Sequence, residues 1–182
     1  MSKVKTDLEI AFLALKHTTI KKVWYKGVFS INTTYHAIQE GIFIQCTDGE
    51  VFHIYTADEL KLGFLQGVYI KRIRYWEREK KYFKKIYDAS LHWQPYLGEE
   101  ITSVFLNWKL IYKSKLTLGN PKSNTDYPHD VELHFRNEKD VSMAAIKIID
   151  KDTDPILGFP QLTLFFDKKE RDKWCDMGKF YQ

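Results

Sequence analysis

Apolar residues recur at intervals of three and four along Leu8, Ala11, Phe12 and Leu15, the spacing of one helix face. Thr6 and Glu9 stand three residues apart at the head of that run, as in a capping box, where each side chain satisfies a backbone N–H left open at the helix start. A short amphipathic helix is expected, ending near Lys16 to Thr19 and packing on a sheet. From Ile20 the period falls to two. In "VWYKGVF" the residues Val23, Tyr25, Gly27 and Phe29 share one side. "GIFIQCTDGEVFHIY" then predicts a hairpin turning at Asp48-Gly49, with Cys46 opposite Val51, Ile44 opposite His53 and Ile42 opposite Tyr55. Both faces of that hairpin are mostly apolar, so cover on both sides is expected.

Further along, "TADELKLGF" reads as a short helix capped by Thr56, "GVYIKRIRYW" as a strand, and "WEREKKYFKKIYDAS" as the site of a second amphipathic helix. The Pro- and Gly-punctuated "LHWQPYLGEE" interrupts, and the pattern starts again. "ITSVFLNWKLIY" answers "IKKVWYKGVF", and Val131, Leu133 and Phe135 answer Ile42, Ile44 and Cys46, with Asn137 standing where Asp48 stood. The chain closes on a strand through Phe166 and a helix starting near Asp167. The fold class expected is α+β: an antiparallel or mixed sheet flanked by helices, in two pseudo-repeated halves, 1–93 and 94–182, that share one core. Neither half is large enough to hold a comfortable core alone.

Composition narrows the partners more than the fold. With 28 basic and 24 acidic residues among 182 the formal charge is only +4, which permits an anionic partner without requiring one. No apolar run reaches the roughly 20 residues that span a bilayer, and the N-terminal apolar stretch is too short and interrupted for an export signal. A cytoplasmic protein with no membrane partner is the expectation. Cys46 and Cys175 form no CxxC pair and supply neither a disulfide framework nor a thiolate metal site. Cys46 lies in a strand pattern, where it serves as a small hydrophobe.

The chemistry-bearing residues fall in two places. Between positions 61 and 93, cations alternate with aromatic rings, and Arg74, Trp76, Arg78, Lys81, Lys84, Lys85 and Trp93 form the expected interaction surface. Tyr and Trp offer rigid contact area, while Arg and Lys orient an approaching partner. The second place is Asp130, Glu132, His134 and Arg136, which alternate with core positions and so project from the opposite sheet face. Residues two apart on a strand stand nearly 7 Å from one another and do not converge on a metal unaided, so a charge-mixed, solvated face is expected. His129, after Pro128, is expected in an exposed turn.

Nucleophile elbows, phosphate loops, dinucleotide fingerprints and HExxH are all missing from the sequence. The expected function is therefore non-catalytic macromolecule binding, chiefly of a protein partner, with no cofactor. Two other classes stand beside it. One is nucleic-acid binding through segment 61–93, where cations meet phosphates and rings stack on bases. The other is an enzyme or metal-binding protein using Asp130, Glu132 and His134 with ligands from other strands.

Overall fold

The computed structural model describes residues 3–59, 66–82, 85–111, 125–149, 155–177 and 179–180. Helix α1 (Lys3–Leu13) turns Leu8 and Phe12 inward. It begins ahead of Thr6, so Thr6 and Glu9 lie inside the helix and the expected capping box does not form. Strands β1 (Ile20–Lys26), β2 (Val28–Ile31), β3 (Tyr35–Ile38), β4 (Ile42–Cys46), β5 (Val51–Ala57) and β6 (Gly67–Arg72) follow, then a one-turn helix α2 (Trp76–Glu79) and β7 (Ile86–Asp88). The second half supplies β8 (Ile101–Ile111), β9 (Thr125–Phe135), β10 (Asp140–Lys147), β11 (Ile156–Phe165), helix α3 (Lys168–Met177) and the short β12 (Lys179–Phe180).

These strands form two sheets. The first runs β6-β5-β4-β1-β7 and the second β2-β3-β11-β10-β9-β8, with β12 on β11. The antiparallel order β1-β4-β5-β6 of the first sheet returns in the second as β8-β9-β10-β11, and each run leads into a helix, α2 or α3. Ile42, Ile44 and Cys46 and their counterparts Val131, Leu133 and Phe135 all enter one core cluster. The sheets pack face to face, β6 against β9 and β10, and β5 against β11. One core therefore serves both halves of the sequence, as the small size of each half requires.

The first hairpin differs by one residue from expectation. Gln45 pairs Val51, Phe43 pairs His53 and Ile42 pairs Ile54. Thr47, Asp48 and Gly49 together make the loop, Cys46 N–H bonding to Glu50 O, with Gly49 at φ 90°. A three-residue loop of this kind needs a left-handed residue in third place, which glycine takes without strain. Its counterpart has the same build: Phe135 N–H bonds to Lys139 O, and Glu138 takes the left-handed position at φ 63°. Asp48 and Asn137 each accept the N–H two residues ahead.

Two helix expectations change. Thr56 and Ala57 belong to β5, and positions 60–64 of the predicted "TADELKLGF" helix lie outside the described residues. The longer helix expected from Trp76 onward stops after α2 and a 3₁₀ turn, Lys80–Tyr82. Lys85 then adopts φ 62° and the chain becomes β7, pairing with β1. There Ile86 packs on a cluster of Trp24, Phe43, Val51, Ile73 and Trp76 that covers the outer face of the first sheet, an apolar contact that a continued helix would forgo. At the C-terminal end the helix starts near Asp167 as expected, and the Asp167 side chain caps α3 by accepting the Lys169 N–H at 2.7 Å.

Candidate functional site

The described residues most densely supplied with reactive groups lie where β9 passes beneath α3. Opposite β9, Asn107 of β8 pairs Asp130 and Trp108 pairs Pro128, which leaves His129 as an extra residue. Such a bulge re-aims side chains, and here it reverses the strand's alternation. Before it, Pro128 faces the first sheet, close against Gly67; after it, Val131, Leu133 and Phe135 take the core side. Tyr127, His129 and Asp130 consequently gather on the α3 side, and all three are buried.

Helix α3 meets them with Arg171, Trp174 and Cys175, spaced three and four apart as residues of one helical face must be. Trp174 and Cys175 pack into an apolar cluster with Ala144, Ile146, Ile148, Leu157 and Phe165. Arg171 Nη2 lies 3.0 Å from each oxygen of Asp130 and 3.5 Å from Glu132 Oε1, and Nη1 donates to Asp172 at 2.9 Å. Asn107 Nδ2 donates to Asp130 Oδ1 and to Glu132 Oε1, both at 2.8 Å. Lys109 Nζ donates to the Cys175 carbonyl.

His129 occupies the innermost position. Its Nδ1 is 2.9 Å from the Tyr127 hydroxyl, while Nε2 is buried without a hydrogen-bond partner and stands 3.7 Å from Asp130 Oδ2, beyond hydrogen-bond range. One donor atom from each of His129, Asp130 and Cys175 lies within 4.8 Å of the others. Burial holds the His129 imidazole well below its ordinary pKa, helped by the charges of Lys109 and Arg171, so the ring is neutral. Burial likewise pushes the Asp130 carboxyl up, against the pull of Arg171 and Asn107. Burial alone would lower Arg171, but Asp130, Asp172 and Cys175 together outweigh it and raise the guanidinium further.

The expected solvated face is covered at its Asp130–Glu132 end and open at Arg136. Asp130 is enclosed, and Glu132 is half-buried beneath Arg171. His134 Nδ1 approaches Asp140 Oδ1 at 3.1 Å and its Nε2 lies 3.5 Å from Glu132 Oε2. Arg136 is exposed in the hairpin loop and pairs with Glu100. His129 sits inside a strand, fully buried, where an exposed turn was expected. Sequence reasoning selected Asp130, Glu132 and His134 but missed Tyr127, His129, Arg171 and Cys175. The signal for the first two was the change of phase between Tyr127 and Val131; nothing local pointed to the other two.

The basic aromatic segment divides. Trp93 is wholly enclosed and donates its Nε1–H to the Tyr25 hydroxyl at 2.8 Å. Trp76 is buried between Trp24 and Phe43, with ring centroids 4.8 Å from each. Burying these large rings seals the core and the outer apolar cluster, and Trp76 reaches the surface only at the wall of a hollow. Arg74, Arg78, Lys81 and Lys85 are exposed, as are Tyr75 at 60% and Tyr82 at 79%; Lys84 lies outside the described residues. The Arg78 guanidinium rests 4.7 Å over the Tyr75 ring. Beside them runs an open groove of about 650 Å³ lined by Asp48, Gly49, Glu50, Arg72, Ile73 and Arg74. A neighbouring hollow of about 410 Å³ shares Gly49, Ile73 and Arg74 and extends to Tyr75 and Arg78.

Fold and site together define a two-sheet α+β protein with a buried His-Asp-Cys cluster and an exposed arginine-tyrosine groove. No protein-family model, curated protein or solved structure matches the chain.

Proposed function

We propose that the chain is a non-catalytic binding protein that takes an acidic protein segment along the groove between the Asp48-Gly49 loop and α2. The observation that carries this reading is the exposed Tyr75 ring under Arg78 at the groove's edge. A ring fixed by a guanidinium supplies contact area at little entropic cost. Arg74 and Arg78 line the groove, with Lys81 exposed nearby and Asp48 and Glu77 also on the lining, so a partner with carboxylates placed to meet the two arginines and an apolar side chain for the floor at Ile73 fits. Arg72 is already paired with Glu50 and contributes shape more than charge. The non-catalytic part of the proposal is supported by the enclosure of Tyr25, His36, His129 and Asp130, whose pKa values burial displaces and none of which lines the groove.

Partners identified by affinity capture should be purified and titrated by calorimetry against the wild type, Tyr75→Ala and Arg78→Glu. Each substitution is expected to weaken binding at least tenfold while thermal stability holds. Equal affinity across the three proteins would remove the groove from consideration. Fluorescent single-stranded RNA and DNA separate the other class: binding that collapses between low and moderate salt and depends on Lys81 favours nucleic acid as the partner.

A further inference from the structure

We infer that His129, Asp130 and Cys175 form a binding site for one thiophilic divalent cation of the zinc class, fastening α3 to β9. Imidazole nitrogen, carboxylate oxygen and thiolate sulfur are the donors this class prefers. Tetrahedral bonds of about 2.0–2.3 Å place donor atoms roughly 3.3–3.8 Å apart. The 3.7 Å between His129 Nε2 and Asp130 Oδ2 already matches that edge, and the full set, within 4.8 Å, closes on an ion after a shift of about 1 Å.

A second observation points to a ligand. His129 Nε2 is a polar atom in a fully buried ring, without a hydrogen-bond partner and 3.7 Å from Asp130 Oδ2. Leaving such an atom unsatisfied is costly, and coordination removes that cost. The opposite ring nitrogen is held by Tyr127. With Nδ1–H donating to the tyrosine oxygen, Nε2 presents its lone pair, the arrangement that orients metal-binding histidines.

The charges also balance. Asp130 and a Cys175 thiolate neutralise the divalent ion, the thiol proton passing to solvent on binding. Arg171 remains matched by Asp172 and Glu132. Enclosure of all three donors gives the ion a structural role, a water completing its tetrahedron, and it clamps α3 to β9 beside the Arg171 contact with Asp130 and Glu132.

The test is cobalt(II) added to chelator-stripped protein. One equivalent is expected to produce a thiolate-to-cobalt charge-transfer band and tetrahedral visible bands, both bleached by zinc. Cys175→Ala and His129→Gln should each weaken binding at least tenfold, while Cys46→Ala keeps the band. In the unaltered protein, which needs no variant to fold, zinc should raise the melting temperature by several degrees over a chelator control. Absence of the charge-transfer band together with an unchanged melting temperature would overturn the inference, as would a band that survives Cys175→Ala and vanishes in Cys46→Ala.

Discussion

Single positions set the distance between the two sheets. Gly67 lies where β6 crosses Pro128 of β9, and a Cβ there would stand 2.6 Å from the proline Cγ and 2.8 Å from its carbonyl oxygen. Backbone and a closed ring have little room to yield, so even one methyl group forces the strands apart. Gly67→Ala is expected to destabilise the fold by about 1–3 kcal/mol, read as a lower urea midpoint with an unchanged slope. Gly49 makes the contrast: its φ is 90° and no atom lies within 4 Å of a Cβ built there. Asparagine tolerates left-handed backbone better than most residues, so Gly49→Asn should change stability by less than about 1 kcal/mol. If the two substitutions cost the same, the crossing at Pro128 has room for a methyl group.

At the level of elements, α3 is held by one buried ion pair as well as by its apolar face. Removing the cation from such a pair leaves an uncompensated charge, which typically costs about 3–5 kcal/mol. Arg171→Ala should therefore fall in that range, and adding Asp130→Asn should recover part of the loss; denaturant curves for the two proteins check it. A loss that the second substitution deepens would show that Asp130 is stabilised by something other than Arg171. How much of this element's role was legible in the sequence follows from the range of each signal. The start of α3 near Asp167 is a local signal, and it was readable. Ile42, Ile44 and Cys46 could be matched to Val131, Leu133 and Phe135 because alternation survives within each hairpin. The bulge at His129 is invisible to a rule that assumes unbroken alternation, and it decides which way His129 and Asp130 point. Arg171 and Cys175 reach β9 only through tertiary packing, which no local pattern encodes. Trp76 and Trp93 were misplaced for a related reason: a ring beside lysines in sequence can still turn inward, and burial of its large apolar area favours that.

Across the whole molecule, the first and second sheets are joined by a polar chain as well as by the shared core. Trp93 donates to the Tyr25 hydroxyl on β1, and that hydroxyl lies 2.8 Å from His36 Nδ1 on β3, so the chain runs from one sheet to the other. The His36 ring packs edge-on against His92 and Phe166, each at 4.8 Å. Burial first, and the nearby His92 second, lower the His36 pKa from 6.5 to about 4. His53, stacked 4.3 Å from Phe43 and bonded to the Glu40 carbonyl, is lowered to about 4, with burial the largest cause and Lys71 and Lys26 adding to it. Between pH 6.5 and 4 the unfolded chain therefore binds more protons at these positions than the fold does. Their contribution is present in full above pH 6.5 and is lost as the pH falls towards 4. For His36, which is only 4% exposed, that contribution is roughly 3 kcal/mol. Urea midpoints measured at pH 7 and pH 5 should drop in the wild type and drop less in His36→Gln, which keeps a polar group near Tyr25 without a titrating ring. Identical drops in both proteins would mean that acid sensitivity arises elsewhere, and that the junction between the sheets tolerates a charged His36.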